Sequence, residues 1–327
     1  MNEAERDPVR ALRFRDAGHR VGRFATGPHN TITDVSGVLV GHTTLVDEAE
    51  GVRSGVTAIV PTAMREARSL AAGMYLGSGH GKSVGVTQMV ERAELATPIL
   101  LTSTPSRVSD HPDRPVVGGT DDAWPAPVVR RPLTREHVSA ALTGAHDGPV
   151  ELGSVGGGAG ACALGFKAGI GSASRRVSLG ARSATVGALV QADMDGELRL
   201  LGRSVTPVGL GLASAGPAAP HSSCVVVLAV DVPCTARQLS RIAARGVFAL
   251  RRVGATLGRG NGDYGLAFST ASQGSPADLE QAHLETLFTA AMDCVEEAVI
   301  DALLAARTIT TPTGRKAHAL PRHLIRA

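Results

Sequence analysis

"AAPHSSCVVVLAVDVPCTARQL", Ala218 to Leu239, sets His221, Ser222 and Ser223 directly against the apolar run Cys224 to Val230. An uncharged run of this kind, closed by Asp231 and Pro233, reads as a strand buried on both faces. Behind it, Thr235 and Gln238 have capping-box spacing, and Leu239, Ile242, Gly246, Leu250 and Val253 fall on one face of the helix that this spacing predicts. Ahead of it, "TPVGLGLASAGPAAP", Thr206 to Pro220, crowds Gly, Pro, Ala and Ser into an expected exposed, mobile linker. The stretch therefore reads as loop, hydroxyls, buried strand and helix, in that order.

Other apolar runs bounded by Gly, Pro or polar residues extend the pattern: "GVLVGHTTLV" from Gly37, "GVTAIVP" from Gly55, "TPILLT" from Thr97 and "SATVGALVQAD" from Ser183. Further helices are predicted from Thr134 and after Ser275-Pro276, the latter turning Leu284, Leu287, Phe288, Ala291, Val295 and Leu303 inward. Hydrophobic residues make up 43% of the 327 but aromatic residues only 3%, against 39 Gly, so the core must be built from small aliphatic side chains with close backbone approaches. Layered helices and sheets suit that composition.

Charge excludes little, since 33 Lys+Arg against 30 Asp+Glu leaves +3. Arg237, Arg241 and Arg245 repeat every four residues and read as a solvated helix face, so no nucleic-acid role is expected. Cys162, Cys224, Cys234 and Cys294 lack metal-ligand spacing, and buried thiols in a reducing compartment are expected. "MNEAERDPVRALRFRDAGHR" at the start mixes both charges and lacks an apolar core, and no uncharged apolar run reaches the length of a membrane span. A soluble, cytoplasmic protein is expected.

Several motifs imitate known chemistry. "GSGHGKSVG", Gly77 to Gly85, resembles a phosphate loop, but Gly77 stands one residue too close to Gly81 and no strand is expected to lead into it. The Gly-x-Ser-x-Gly match around Ser83 needs a strand before that serine, which the preceding glycines make improbable. "GSVGGGAGACALGFKAGIGSASR", Gly153 to Arg175, reads equally as tight packing between layers or as the wall of a site; within it Lys167 faces either solvent or a carboxylate. In "GNGDYGLAFST", Asn261 and Asp263 stand two apart before a strand-like run, as in a relay beside a nucleophile, but Asn-Gly and Gly-Asp are also ordinary turn pairs.

Ser223 answers the question that its position raises. Cleavage between Ser222 and Ser223 places a new α-amine beside the Ser223 hydroxyl, and an amine titrating near ~8 acts as the base without a histidine. A plain loop serine ahead of a strand fits the same residues. Cys224 is a poor rival, because alternation points it to the other side of the strand.

Six blocks occur in the order found in the DmpA-type aminopeptidases: "HNTITDVSGVLVGHTTL", "GVRSGVTAIVP", the glycine tract, "VGALVQAD", "SCVVVLAVDVP" and "NGDYGLAFSTA". The chain resembles this family from about Arg13 to Ala305. The resemblance implies an α+β fold, a four-layer αββα sandwich related to ornithine acetyltransferase. It implies one hydrolytic domain over 1–327, self-cleaved into an α chain 1–222 and a β chain 223–327. It also implies a cytoplasmic homo-oligomer acting on small peptides or amino-acid amides, with no metal or organic cofactor.

Carried over by motif, the nucleophile falls on Ser223, the helper serine on Asn261 and the carboxylate on Asp263. Four positions depart from the family pattern. Asn261 replaces a hydroxyl; Asp193 replaces an oxyanion-binding Asn; Asp121 replaces a Tyr; Ser222 precedes the cleavage site where the family has Gly or Asn. A carboxylate in an oxyanion site repels the developing charge, and losing one donor costs about 3 kcal/mol. Asp121 and Asp193 therefore act either as protonated acids or as anchors for a substrate ammonium. Three functions follow: a serine aminopeptidase or amidase, an uncleaved member acting as scaffold or small-molecule binder, and an acyl transferase to amines.

Overall fold

The computed structural model describes residues 12–65, 69–80, 82–104, 115–121, 133–212, 223–271 and 279–326. The first half of the chain supplies β1 (Val38–Asp47), β2 (Val52–Pro61), β3 (Leu70–Leu76), β4 (Lys82–Val84), α1 (Val86–Arg92), β5 (Glu94–Leu95), β6 (Ile99–Thr104), β7 (Val116–Asp121) and α2 (Arg135–Thr143). Next come the short pair β8 (Cys162–Ala163) and β9 (Phe166–Lys167), then β10 (Ile170–Leu179), β11 (Arg182–Gln191), β12 (Leu198–Leu200) and β13 (Arg203–Val205). The last part supplies β14 (Val225–Val230), α3 (Ala236–Ala249), β15 (Tyr264–Ser269), α4 (Gln281–Ala305), β16 (Ile309–Thr310) and β17 (Lys316–Ala317).

Two sheets carry the architecture, a first in the order β1-β2-β6-β7-β4 and a second in the order β10-β11-β14-β15-β3-β5. Apolar side chains from facing strands, among them Val40, Ile59, Leu101, Leu189, Val227 and Phe268, fill the space between them. Val186, Leu228, Leu239, Ile242, Leu287 and Val295 form a second core between the second sheet and α3 with α4. Val56, Leu100, Val138 and Ala141 pack α2 onto the first sheet. Four layers result, αββα, as the resemblance implies.

Strand β14 lies inside the second sheet, antiparallel to β11 and parallel to β15, and all six of its residues are buried. Its alternation is strict: Val226, Leu228 and Val230 face the helices with Cys224, while Val225, Val227 and Ala229 face the other sheet. The helix after it starts as predicted, with Thr235 Oγ1 accepting from Gln238 N–H at 3.3 Å.

Glycine lets the layers close. A Cβ on Gly171 of β10 would stand 1.8 Å from the carbonyl oxygen of Ala298 in α4. That helix also buries Asp293, Glu297 and Asp301, four residues apart on one face. Arg252 meets Asp293 at 2.9 Å, Arg15 and Arg175 meet Glu297 at 2.7 and 2.6 Å, and Arg13 meets Asp301 at 2.7 Å. Burial would raise the pKa of Glu297, but Arg175 and Arg15 outweigh it and hold the carboxyl below its ordinary range. Among the described residues no helix is long and apolar enough to cross a membrane.

Three expectations need correction. Strand β3 runs directly up to Gly77, and Ser83 lies in the middle of β4, so strands do form around the phosphate-loop imitation. Alanine and glycine hid β3 from pattern reading, because α3 crosses so closely that a Cβ on Gly73 would stand 2.2 Å from the Ser240 nitrogen. Ser83 is nevertheless no nucleophile elbow, since its hydroxyl donates to the Val117 carbonyl at 3.0 Å along the strand pair. Helix α3 ends at Ala249, so Leu250 and Val253 are buried from the turn beyond it. Of the expected linker, Val208–Leu210 forms a 3-10 turn and residues 213–220 lie outside the described part.

Candidate active site

Ser223 is buried at the entry to β14. By alternation it shares the inter-sheet face with Val225, opposite to Cys224. Burial raises the Cys224 thiol well above its ordinary pKa, with Asp263 and Asp193 adding to the rise, which leaves it a weak nucleophile. His221 and Ser222 lie outside the described residues.

Register brings the other candidates to the same end of the sheet. Val225 pairs with Gln191 of β11 on one side and with Tyr264 of β15 on the other. Continuing each ladder outward sets Asp193 beside Ser223, and Asp263 beside Cys224. The Tyr264 N–H donates to the Cys224 carbonyl at 2.9 Å and closes that end of the parallel pair. Asp121 is the last residue of β7 in the facing sheet, and its side chain lies outside the described part. Next to it, Thr120 Oγ1 accepts from Gln191 Nε2 at 2.5 Å, and the same amide donates to the Thr102 carbonyl at 2.9 Å. One buried glutamine thereby ties the two sheets together beside the candidate nucleophile.

Both readings of "GNGDYG" hold at once. The Asn261 N–H donates to the Gly258 carbonyl at 3.0 Å, which is a turn. Yet Asn261 and Asp263 are buried, and among the described residues neither Asn261 Nδ2 nor either Asp263 carboxyl oxygen has a hydrogen-bond partner. Such orphaned groups cost about 1–3 kcal/mol each, a burden usually kept where function uses it. Burial lifts the Asp263 pKa from 3.8 to about 6; the Cys224 backbone opposes the rise and Asp195 adds to it. The segment after β3 borders the same residues, with Gly77 N–H donating to the Asp263 carbonyl at 2.8 Å and His80 N–H to that of Asn261 at 3.3 Å. No sequence pattern announced this neighbour.

The glycine tract packs and walls together. A Cβ on Gly157 would stand 2.4 Å from Gln191 Oε1, so the tract presses on the residue that braces the site. Lys167 does not face solvent and has no carboxylate in direct contact among the described residues: it is fully buried and donates to backbone carbonyls. Among the described residues no three His, Cys, Asp or Glu side chains come together as a metal site.

A two-sheet sandwich between helices, with a serine at the mouth of a buried strand, defines a class: the N-terminal-nucleophile hydrolases. The structure is similar to the L-aminopeptidase D-Ala-esterase/amidase of Ochrobactrum anthropi, described as a variant among the Ntn hydrolase fold, at TM-score 0.84 and 33% identity over 95% of this chain and 96% of that one. It is similar also to a Burkholderia sp. beta-aminopeptidase, at TM-score 0.84 and 34% identity over 96% and 97% of the two chains.

The chain belongs to peptidase family S58, whose model matches residues 30–112 and 107–317. In sequence it is similar to the beta-peptidyl aminopeptidase BapA of Sphingosinicella xenopeptidilytica, 35% identical over 343 aligned positions, covering 90% of this chain and 85% of that protein. It is a hydrolase of this family.

Proposed function

We propose that the protein is a serine aminopeptidase or amidase that removes amino-terminal residues from small peptides, amides or esters after cleaving itself before Ser223. The observation that carries this reading is that strand register brings buried Ser223 and Asp263 to the same end of one sheet, where Asn261 Nδ2 and the Asp263 carboxyl oxygens lack hydrogen-bond partners among the described residues. A freed α-amine at Ser223 supplies the base; Asp263 orients that amine and Asn261. The hydroxyl attacks the substrate carbonyl, its proton passes to the amine and then to the leaving group, and water resolves the acyl-enzyme. Asn261 keeps donors and an acceptor where the family has a hydroxyl.

The proposal extends to one hydrolytic domain, cut into 1–222 and 223–327, acting as a cytoplasmic homo-oligomer. The test is intact mass together with activity. Purified protein is expected as two chains, the smaller of 105 residues from Ser223 to Ala327, and active on amino-acid anilides. Ser223→Ala is expected to remain one chain and inactive. A single uncut chain without activity in the unaltered protein overturns the reading.

A further inference from the structure

Beside the end of α4 lies a cavity of about 860 Å³ that the proposed reaction does not use. Four segments meet around it: the chain ahead of β1, the start of β2, residues 149–155 and the chain leaving α4. Gly153 pairs with Ile170, Ile170 with Gln191 and Gln191 with Val225, so three strand spacings, about 14 Å, part these walls from the strand that Ser223 leads. The cavity is a place of its own.

Arg13, Arg53 and Arg307 line it, with His29 and a single acid, Glu151. Arg13 is already committed: it bonds Asp301 at 2.7 Å and donates to the carbonyls of His29, Asn30 and Ser172. Arg53 meets Glu48 at 3.1 Å, but the Glu48 side chain is 80% exposed, and a surface pair of that kind holds weakly. Arg307 and Glu151 are exposed and neither has an ion-pair partner among the described residues. Ser154 Oγ, another lining group, is buried and has no hydrogen-bond partner among the described residues. A shielded hydroxyl without a partner marks a place that a further group completes.

The two available guanidiniums come from different layers, Arg53 from β2 of the first sheet and Arg307 from beyond α4. Set against Glu151, they leave one positive charge in the cavity. Guanidinium groups hold carboxylates through paired N–H donors. Between these polar groups Leu152 and Ile309 are buried and Val155 half-buried, so the walls are apolar where the charges are not. The volume lies in the range of about 300–1,000 Å³ that holds an organic molecule.

We propose that this cavity binds a small organic carboxylate, with its oxygens held by Arg53, Arg307 and Ser154 Oγ and its apolar body against Leu152, Val155 and Ile309. The single uncompensated positive charge suits a monoanion. The site is independent of the chemistry at Ser223.

The experiment titrates the full-length protein by calorimetry with octanoate, octanamide, acetate and octyl phosphate. Octanoate is expected to bind saturably, and octanamide, which lacks the charge, and acetate, which lacks the apolar body, each about tenfold more weakly or worse. Arg53→Gln with Arg307→Gln is expected to weaken octanoate by about tenfold and to leave octanamide and the turnover of alanine p-nitroanilide unchanged. Octanoate is expected not to compete with alanine p-nitroanilide.

Equal affinity for octanoate and octanamide overturns the proposal, as does an octanoate affinity that the double substitution leaves unchanged. Octyl phosphate binding more tightly than octanoate overturns the assignment to a carboxylate, and competition with the anilide that survives the double substitution places the ligand at Ser223 and overturns the separate site. Should the double variant fail to fold, Arg307→Gln alone, at an exposed side chain, is expected to weaken octanoate by about threefold, and no change overturns the proposal. Binding is read without turnover, so an inactive protein would sink the aminopeptidase reading and leave this test whole.

Discussion

Asp263 gains nothing from the fold as an anion. Its pKa of about 6 against an ordinary 3.8 means that the folded protein binds this proton more tightly than the unfolded chain does. Its contribution to stability is therefore full below pH 3.8 and is lost as pH rises through about 6, leaving a cost of about 3 kcal/mol above pH 7. Asp263→Asn is expected to be more stable than the unaltered protein at pH 8, by a margin that vanishes toward pH 4, as read by urea denaturation, while losing activity on amino-acid anilides. For the intact site, kcat/KM is expected to rise with pH through an acid limb near 6, where Asp263 ionises. The spacing of Asn261 and Asp263 was legible in the sequence because a turn followed by a strand is a local pattern. The burial of Lys167 was not, because its three oxygen partners come from a hairpin that folds back onto it, and a lysine between glycines looks like any surface lysine.

Between elements, α4 meets β10 through two devices of opposite kind, a missing side chain and a buried ion pair. Gly171→Ala is expected to abolish soluble expression or to destabilise the protein by several kcal/mol, since the added carbon meets the Ala298 carbonyl and neither backbone can withdraw. Glu297→Ala is expected to cost about 3–5 kcal/mol, because it leaves Arg175 buried without its partner. Replacing both, with Arg175→Met and Glu297→Leu, is expected to cost less than that single change in the same denaturation experiment. The strands that the sequence revealed, β1, β2, β6, β11 and β14, are aliphatic runs that bury both faces. β3 and β10 escaped because glycine and alanine stand where helices cross them, so the very closeness of the packing removes the hydrophobic signal. The rule that fails there is the one linking strands to bulk.

At the scale of the molecule, the proposed cut falls ahead of a strand that is held on both sides. β14 pairs with β11 from before the cut, β15 pairs with β3 from before it, and α4 packs on β10. The two chains are therefore expected to elute together from a sizing column in native buffer and to separate only in denaturant; separation in native buffer would contradict the proposed position of the cut. The same interdependence reaches the other end of the chain. Residues 13 to 31 are rich in charged and polar side chains that a cloner would trim, yet Arg13 grips Asp301 and also donates to the carbonyls of His29, Asn30 and Ser172, while Arg15 grips Glu297. Shortening the gene past codon 15 would remove no ornament: it would pull the plug from Asp301 and leave Glu297 leaning on Arg175 and Asn30.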